Sequence, residues 1–207
     1  MKMTFHHIDR TGGTTLIVAL RQVYGVDNVV DLELGGDPTV VVVGNEFPYS
    51  MFNPPDRLPI TILRDPVDRL VSWLRFRRQG KLGEGSIDDE SITVPASEYL
   101  QRTDLKVVRH HVRDRFVRQL GGDFRTDLIP IETAFEVALE RLERMFWVGH
   151  TETLDADMGR LFRLLNKRNP HIPPQNPAVG PDIEFDVGLL EELTVWDRRL
   201  IDEWKLR

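Results

Sequence analysis

The sequence predicts an α/β protein, a three-layer arrangement with a central parallel sheet flanked by helices. Three stretches carry that prediction. Met3 to Leu20 reads as a short strand, a glycine turn and the start of a helix. Thr39 to Val43 is an unbroken β-branched run, which suits a strand buried on both faces of a parallel sheet. Ile60 to Leu63 is a strand that leads into a helix at Asp65-Pro66, an N-cap with proline at the first helical position. Val67, Leu70, Val71 and Leu74 then recur at i, i+3, i+4 and i+7, giving that helix one face for the core.

Composition bounds the function. A chain of 207 residues, 41% of them hydrophobic, suits a single domain spanning residues 1–207 with a packed core. A net charge of −6 argues against wholesale binding to nucleic acid. The absence of cysteine excludes disulfides and thiolate-bound metals and fits a reducing compartment. No histidine pair has zinc-ligand spacing with a third ligand, so no metal site is expected. The first strand begins close to Met1, leaving no room for a signal peptide. No apolar run approaches the ~20 residues that span a bilayer. The expectation is a soluble, cytoplasmic protein.

The glycine turn is the first candidate site. Gly12 and Gly13 lack Cβ atoms where the backbone turns sharply between strand and helix. Such a turn aims free amides at one point, and the helix dipole adds about half a positive charge there, so the site favours an anion. Arg10 supplies a full charge, and Thr11, Thr14 and Thr15 supply hydroxyls. This is not a Walker A loop, because the first glycine and the lysine of G-x-x-x-x-G-K-[ST] are missing and the cation precedes the glycines. An ordinary βα turn with two glycines is the competing reading.

A second cluster follows the strand at Ile60. From Arg64 to Lys81 there are six cations and two acids, a surplus of four inside an acidic chain. A local excess of that size suits a polyanionic ligand; a solvated basic helix face is the alternative, chiefly for Arg75, Arg77 and Arg78. Asn45 and Glu46 follow the β-branched strand at its carboxyl end, where ligands gather in open α/β sheets.

The segment F-H-H-I-D-R-T-G-G-T-T resembles the 5′-phosphosulfate loop of PAPS-dependent sulfotransferases, whose carbohydrate-type members read close to H-I-P-K-T-G-G-T-S. The match covers His7, Ile8, Thr11, Gly12, Gly13 and Thr14; Asp9 replaces the family proline and Arg10 the family lysine. R-D-P-V-D-R-L-V-S is similar to the family's 3′-phosphate motif, which implies that Arg64 and Ser72 hold a 3′-phosphate. V-G-H-T-E at Val148 to Glu152 is similar to a further family segment, and D-R-F-V-R-Q-L-G at Asp114 to Gly121 to another.

The resemblance implies a P-loop-like sulfotransferase fold and PAPS as sulfuryl donor, with PAP as product and no metal required. It also implies cofactor contacts at Arg10, Thr11, Gly12, Gly13, Thr14, Thr15, Arg64 and Ser72. The family lysine contacts the phosphosulfate and assists the leaving group, a role that falls here to Arg10. The family's basic histidine is replaced by Asn45, so Glu46 becomes the candidate base, with His7 or His110 as substitutes. The acceptor is a small molecule, a glycan or a peptide. Oligomeric state is not legible. Two other classes stay open: a non-catalytic PAP- or PAPS-binding protein, and an ATP-dependent kinase.

The rest of the chain is read as connecting structure. Asn28 to Leu32 is a short strand, Gly80 to Ser91 a flexible loop, and Leu105 to Leu120 one basic helix ended by Gly121-Gly122. Within it, His110 and His111 either touch an acidic acceptor or form one solvated and one packed side chain. Ile131 to Met145 is an amphipathic helix, Phe146 to Gly149 a strand and Thr153 to Leu165 a helix. Asn166 to Pro181 is a long proline-containing loop, and Val187 to Trp204 is a final helix carrying Trp196 and Trp204 against the domain.

Overall fold

A computed structural model of the chain describes residues 1–31, 40–45, 56–78, 94–102, 105–122, 129–175 and 183–207. The 80–91 loop and Glu46 lie outside the described residues, as does the 166–181 loop beyond Gln175. Five strands form one sheet: β1 (Lys2–His7), β2 (Val29–Asp31), β3 (Val41–Asn45), β4 (Arg57–Leu63) and β5 (Trp147–His150). Their order is β2-β3-β1-β4-β5, and every pairing is parallel.

Among the described residues nine α-helices surround the sheet. They are α1 (Gly13–Tyr24), α2 (Pro66–Arg78), α3 (Ala96–Leu100), α4 (Lys106–His111), α5 (Arg115–Gly121), α6 (Ile131–Glu143), α7 (Leu154–Leu164), α8 (Val187–Leu193) and α9 (Val195–Lys205). None of them is long and apolar enough to cross a membrane.

Alternation along the strands sorts the core into layers. Met3, Phe5, Val41, Val43, Ile60 and Ile62 face one side, where Leu16, Ala19 and Leu20 of α1 and Met158, Leu161 and Phe162 of α7 cover them. Ile8 and Leu63 join the opposite layer, built from Phe116, Val117 and Leu120 of α5 with α6 and α9. His6 points into that layer too. Burial, assisted by the Arg141 charge, pushes its imidazole down to about 3, so it is neutral at physiological pH. The apolar face of α2 packs on α3, α4 and α8 rather than on the sheet.

β1 lies at the centre, with Phe5 opposite Val43 on one side and Ile60 on the other. The chain leaves β1 toward β2 and leaves β4 toward β5, so the two connections diverge. A crevice opens between such exits in doubly wound sheets.

Two helices read from the sequence as continuous are broken. The 105–120 segment divides into α4 and α5, and Asp114 between them is left-handed (φ 47°). The 187–204 segment divides at Thr194 into α8 and α9. The two breaks cap each other. Asp114 Oδ1 accepts from the amides of Trp196 (2.9 Å) and Asp197 (3.4 Å) at the start of α9. Asp197 Oδ1 accepts from the Val117 amide (2.9 Å) at the start of α5. Each carboxylate thus satisfies the orphan donors of the other helix. Helical periodicity is silent about such long-range capping.

Burial, and then the neighbouring Asp114 charge, push the Asp197 carboxyl up to about 7. Its Oδ2 is buried without a hydrogen-bond partner among the described residues, which suits a protonated acid. The folded chain therefore keeps a proton that the unfolded chain releases near the ordinary carboxylate value of about 4. From there to about pH 7 the folded state binds more protons, so this group's contribution to stability declines as pH rises. The thermal midpoint is expected to fall between about pH 5 and about pH 8, and Asp197→Asn should make that fall shallower; parallel melting curves across this range check it.

Candidate functional site

The glycine loop lies between the β1 exit and α1. Gly12 takes φ 88° as the N-cap, and its carbonyl accepts from Thr15 (3.0 Å) and Leu16 (3.4 Å). The amides of Gly13 and Thr14 precede the first intrahelical bond, in the position from which a helix N-terminus receives an anion. Gly13 is required for a second reason. A Cβ there would lie 2.0 Å from His7 Cδ2 and 2.2 Å from Nε2, so the imidazole lies directly on the glycine Cα. The His7 ring also stacks on Phe5, centroids 5.4 Å apart.

The three loop threonines have distinct places. Thr11 is fully buried, and its hydroxyl donates inward to the Ile8 carbonyl (2.8 Å). The Thr15 hydroxyl accepts from the Gln175 amide (2.9 Å), which docks the 166–175 segment on the first turn of α1. Thr14 lines the cavity directly.

Arg10 and Arg64, 54 residues apart, meet here. Arg64 Nη1 donates to the Arg10 carbonyl (3.1 Å). Arg10 Nε donates to Ser72 Oγ (3.1 Å), and its guanidinium lies 4.6 Å from the Phe76 ring centroid. Burial lowers the Arg10 pKa, Asp9 opposes that shift and Arg64 adds to it; its ordinary value is so high that the cation persists. Arg10 is itself left-handed (φ 65°), an uncommon conformation for a long side chain. Ser72, off the apolar stripe of α2, is buried at this junction.

His7, Arg10, Gly12, Gly13, Arg64 and Ser72 line one cavity of about 390 Å³, together with Phe76, Thr151, Leu154, Pro174 and Gln175. A cavity of about 490 Å³ lies on the other side of Arg64, toward Lys205 and Asp202 of α9. Its wall carries the carboxylates of Asp65, Glu152 and Asp202 and no residue of the glycine loop, so the smaller one is the better anion site.

Several contributors escape the sequence. Asp9 Oδ1 lies 3.2 Å from Arg115 Nε and Oδ2 lies 3.4 Å from Arg69 Nη1. Both arginine side chains are 0% exposed. Burial alone would raise the Asp9 carboxyl, but Arg115 and Arg69, with His111, hold it well below the ordinary range. Arg69 Nη2 also donates to the His111 carbonyl (2.6 Å) and Arg115 Nη1 to the His110 carbonyl (2.9 Å), two acceptors in the last turn of α4. The His111 ring stacks on Trp73 and turns Nδ1 toward Asp9 (3.4 Å), a packed position inside the ion cluster.

Thr151 is another contributor. Its hydroxyl donates to the Thr11 carbonyl (2.7 Å) and approaches the Leu63 carbonyl (3.2 Å), fastening the β5 exit to those of β1 and β4. V-G-H-T-E was the available signal. Asp9 and Arg115 are 106 residues apart and gave none.

The basic surplus of residues 64–81 is partly internal: Arg69 and Arg77 are buried, and Arg78 donates to the Val94 carbonyl. The backbone of Asn45 pairs with that of His7, placing the exit of β3 next to the loop. Among the described residues there is no group of three or more metal-ligating side chains. No family model matches this chain, and no curated protein matches it.

Gly13→Ala is expected to destabilise the fold by about 1–3 kcal/mol, as overpacking does. Adding His7→Ala should restore most of the lost midpoint, since among the described residues the three atoms nearest the added Cβ all belong to that ring; urea unfolding of the single and double variants checks it.

Proposed function

We propose that this chain binds PAPS and transfers its sulfuryl group to a hydroxyl or amine acceptor. One observation carries the reading: Arg64 and the glycine loop, each in a segment resembling half of a PAPS site, line a single cavity and are joined through the Arg10 carbonyl. A nucleotide with charged groups at both its 5′ and 3′ positions matches donors distributed in that way. The cavity lies within the range of small-ligand sites, about 300–1,000 Å³.

In this reading the amides of Gly13 and Thr14 receive the 5′-phosphosulfate, while Arg64 and Ser72 receive the 3′-phosphate. The acceptor loses its proton to a base, Glu46 in the first instance and His7 in the second. Its oxygen or nitrogen attacks sulfur in line, and the bond from sulfur to the bridging oxygen breaks. The electron pair leaves with PAP, and Arg10 and the loop amides stabilise that charge. Positioning and electrostatics supply the rate, as in phosphoryl transfer. A sulfuryl group carries less charge than a phosphoryl, so no metal is required.

The bond from Arg10 Nε to Ser72 favours a second reading, nucleotide binding without transfer, because it draws the cation toward the 3′ side.

PAP is expected to raise the thermal midpoint more than ATP with Mg²⁺ at equal concentration; the reverse order would favour a kinase. Arg64→Ala should weaken PAP binding about ten- to a hundredfold, the worth of a hydrogen bond to a charged group, by titration calorimetry. Arg10→Ala should keep the fold and lower sulfate transfer about a hundredfold or more; equal turnover with a broad acceptor panel would remove Arg10 from the chemistry.

A further inference from the structure

A left-handed backbone at a long side chain persists only where its surroundings fix it on both sides. Beyond Arg10, the Thr11 hydroxyl holds the Ile8 carbonyl and the Thr11 carbonyl accepts from Thr151. Before Arg10, the anchor is the side chain of Asp9, gripped by Arg69 and Arg115 and faced by His111. The two arginines are immobilised in turn by the carbonyls that end α4. Asp9 lines the same cavity and takes no part in the bonds from Arg10 to Ser72 and from Arg64 to Arg10, yet it fixes the residue from which they start.

We propose that Asp9 is the positioning residue of the anion loop. Its carboxylate sets the left-handed turn at Arg10, and through it the aim of the Arg10 carbonyl at Arg64 and of the guanidinium at Ser72. The spacing between the loop amides and Arg64, and hence affinity for an anion charged at two places, follows from that turn. This rests on the bis-anionic nucleotide reading above. A purely structural Asp9, serving only as the shared counter-charge of two buried cations, would govern stability and leave affinity unchanged.

Asp9→Glu separates the two roles. It keeps the charge that Arg69 and Arg115 need but lengthens the arm by one methylene, displacing the loop. Calorimetric titration with PAP and with 5′-AMP should show Asp9→Glu binding PAP about tenfold more weakly, a shift typical of misplaced binding groups, with AMP affected less. In an Arg10→Ala background the same substitution should have a penalty at least about threefold smaller, because residues in one network are non-additive. Asp9→Asn, titrated well below its own midpoint with the stoichiometry counting folded protein, gives the answer if the glutamate variant does not fold; it too should bind PAP more weakly. PAP affinity unchanged in the folded variants, or an equal penalty in both Arg10 backgrounds, overturns the proposal. A wild-type protein that binds PAP no more tightly than AMP overturns the nucleotide reading itself, and this proposal with it.

Discussion

The site depends on one electrostatic constraint: two fully buried guanidinium groups, Arg69 and Arg115, have to share a counter-charge where no water reaches them. Desolvating an ion has a penalty of several kcal/mol even after relaxation, and pairing offsets it only if the remaining donors also find acceptors. Asp9 places one negative charge between the two cations, and the His111 and His110 carbonyls accept from one nitrogen of each, while Arg69 Nε has no acceptor among the described residues. The consequence is geometric. Arg69 belongs to α2, Arg115 to α5 and Asp9 to the glycine loop, so meeting the electrostatic demand also fixes three separate segments around the cavity.

That constraint reaches into the helical layer through the exchanged caps. α4 has to stop where its terminal carbonyls can meet Arg69 and Arg115, and the chain then turns sharply at Asp114. The turn places Asp114 over the start of α9 and lets Asp197 return the favour at α5. The Asp114 amide adds a bond to the Leu193 carbonyl (3.0 Å), so the α4–α5 and α8–α9 corners are stitched face to face. Asp197 also senses the Arg69 charge. The backing of the glycine loop is therefore a continuous polar seam from α9 to the exit of β1, embedded in apolar layers that Phe116, Leu120, Leu139 and Leu200 complete.

The parallel sheet was legible because Val41, Val42 and Val43 form an uninterrupted apolar strand, and the start of α2 because Asp65-Pro66 is a local signal. Asp65 Oδ1 accepts from the Asp68 amide (2.9 Å), the cap expected there. The meeting of Arg64 with the glycine loop needed more: parallel pairing of β1 with β4 at matching register, which periodicity implies only once both strands sit in one sheet. The helix breaks at Asp114 and Thr194 were invisible, because the residues on either side keep helical periodicity and the cause lies about eighty residues away in sequence. The Asp9 cluster was hidden for the same reason. An aspartate after a strand is unremarkable until two arginines from distant helices arrive beside it.

Arginine at position 10 makes chemical sense in this setting where lysine would not. A lysine presents one compact ammonium on a flexible stem, with neither a planar face to lie over Phe76 nor a fixed fork of donors. Arginine carries Nε and two terminal nitrogens in one plane, and it stacks on aromatic faces. With Nε on Ser72 and the plane over Phe76, the orientation of the whole fork is set by α2, while the backbone of the same residue is set by Asp9 and receives Arg64. One residue thereby couples the amide-rich end of the cavity to its guanidinium-rich end. A ligand with a single anionic group would meet only part of that arrangement, whereas one with two would use both ends and the arginine between them.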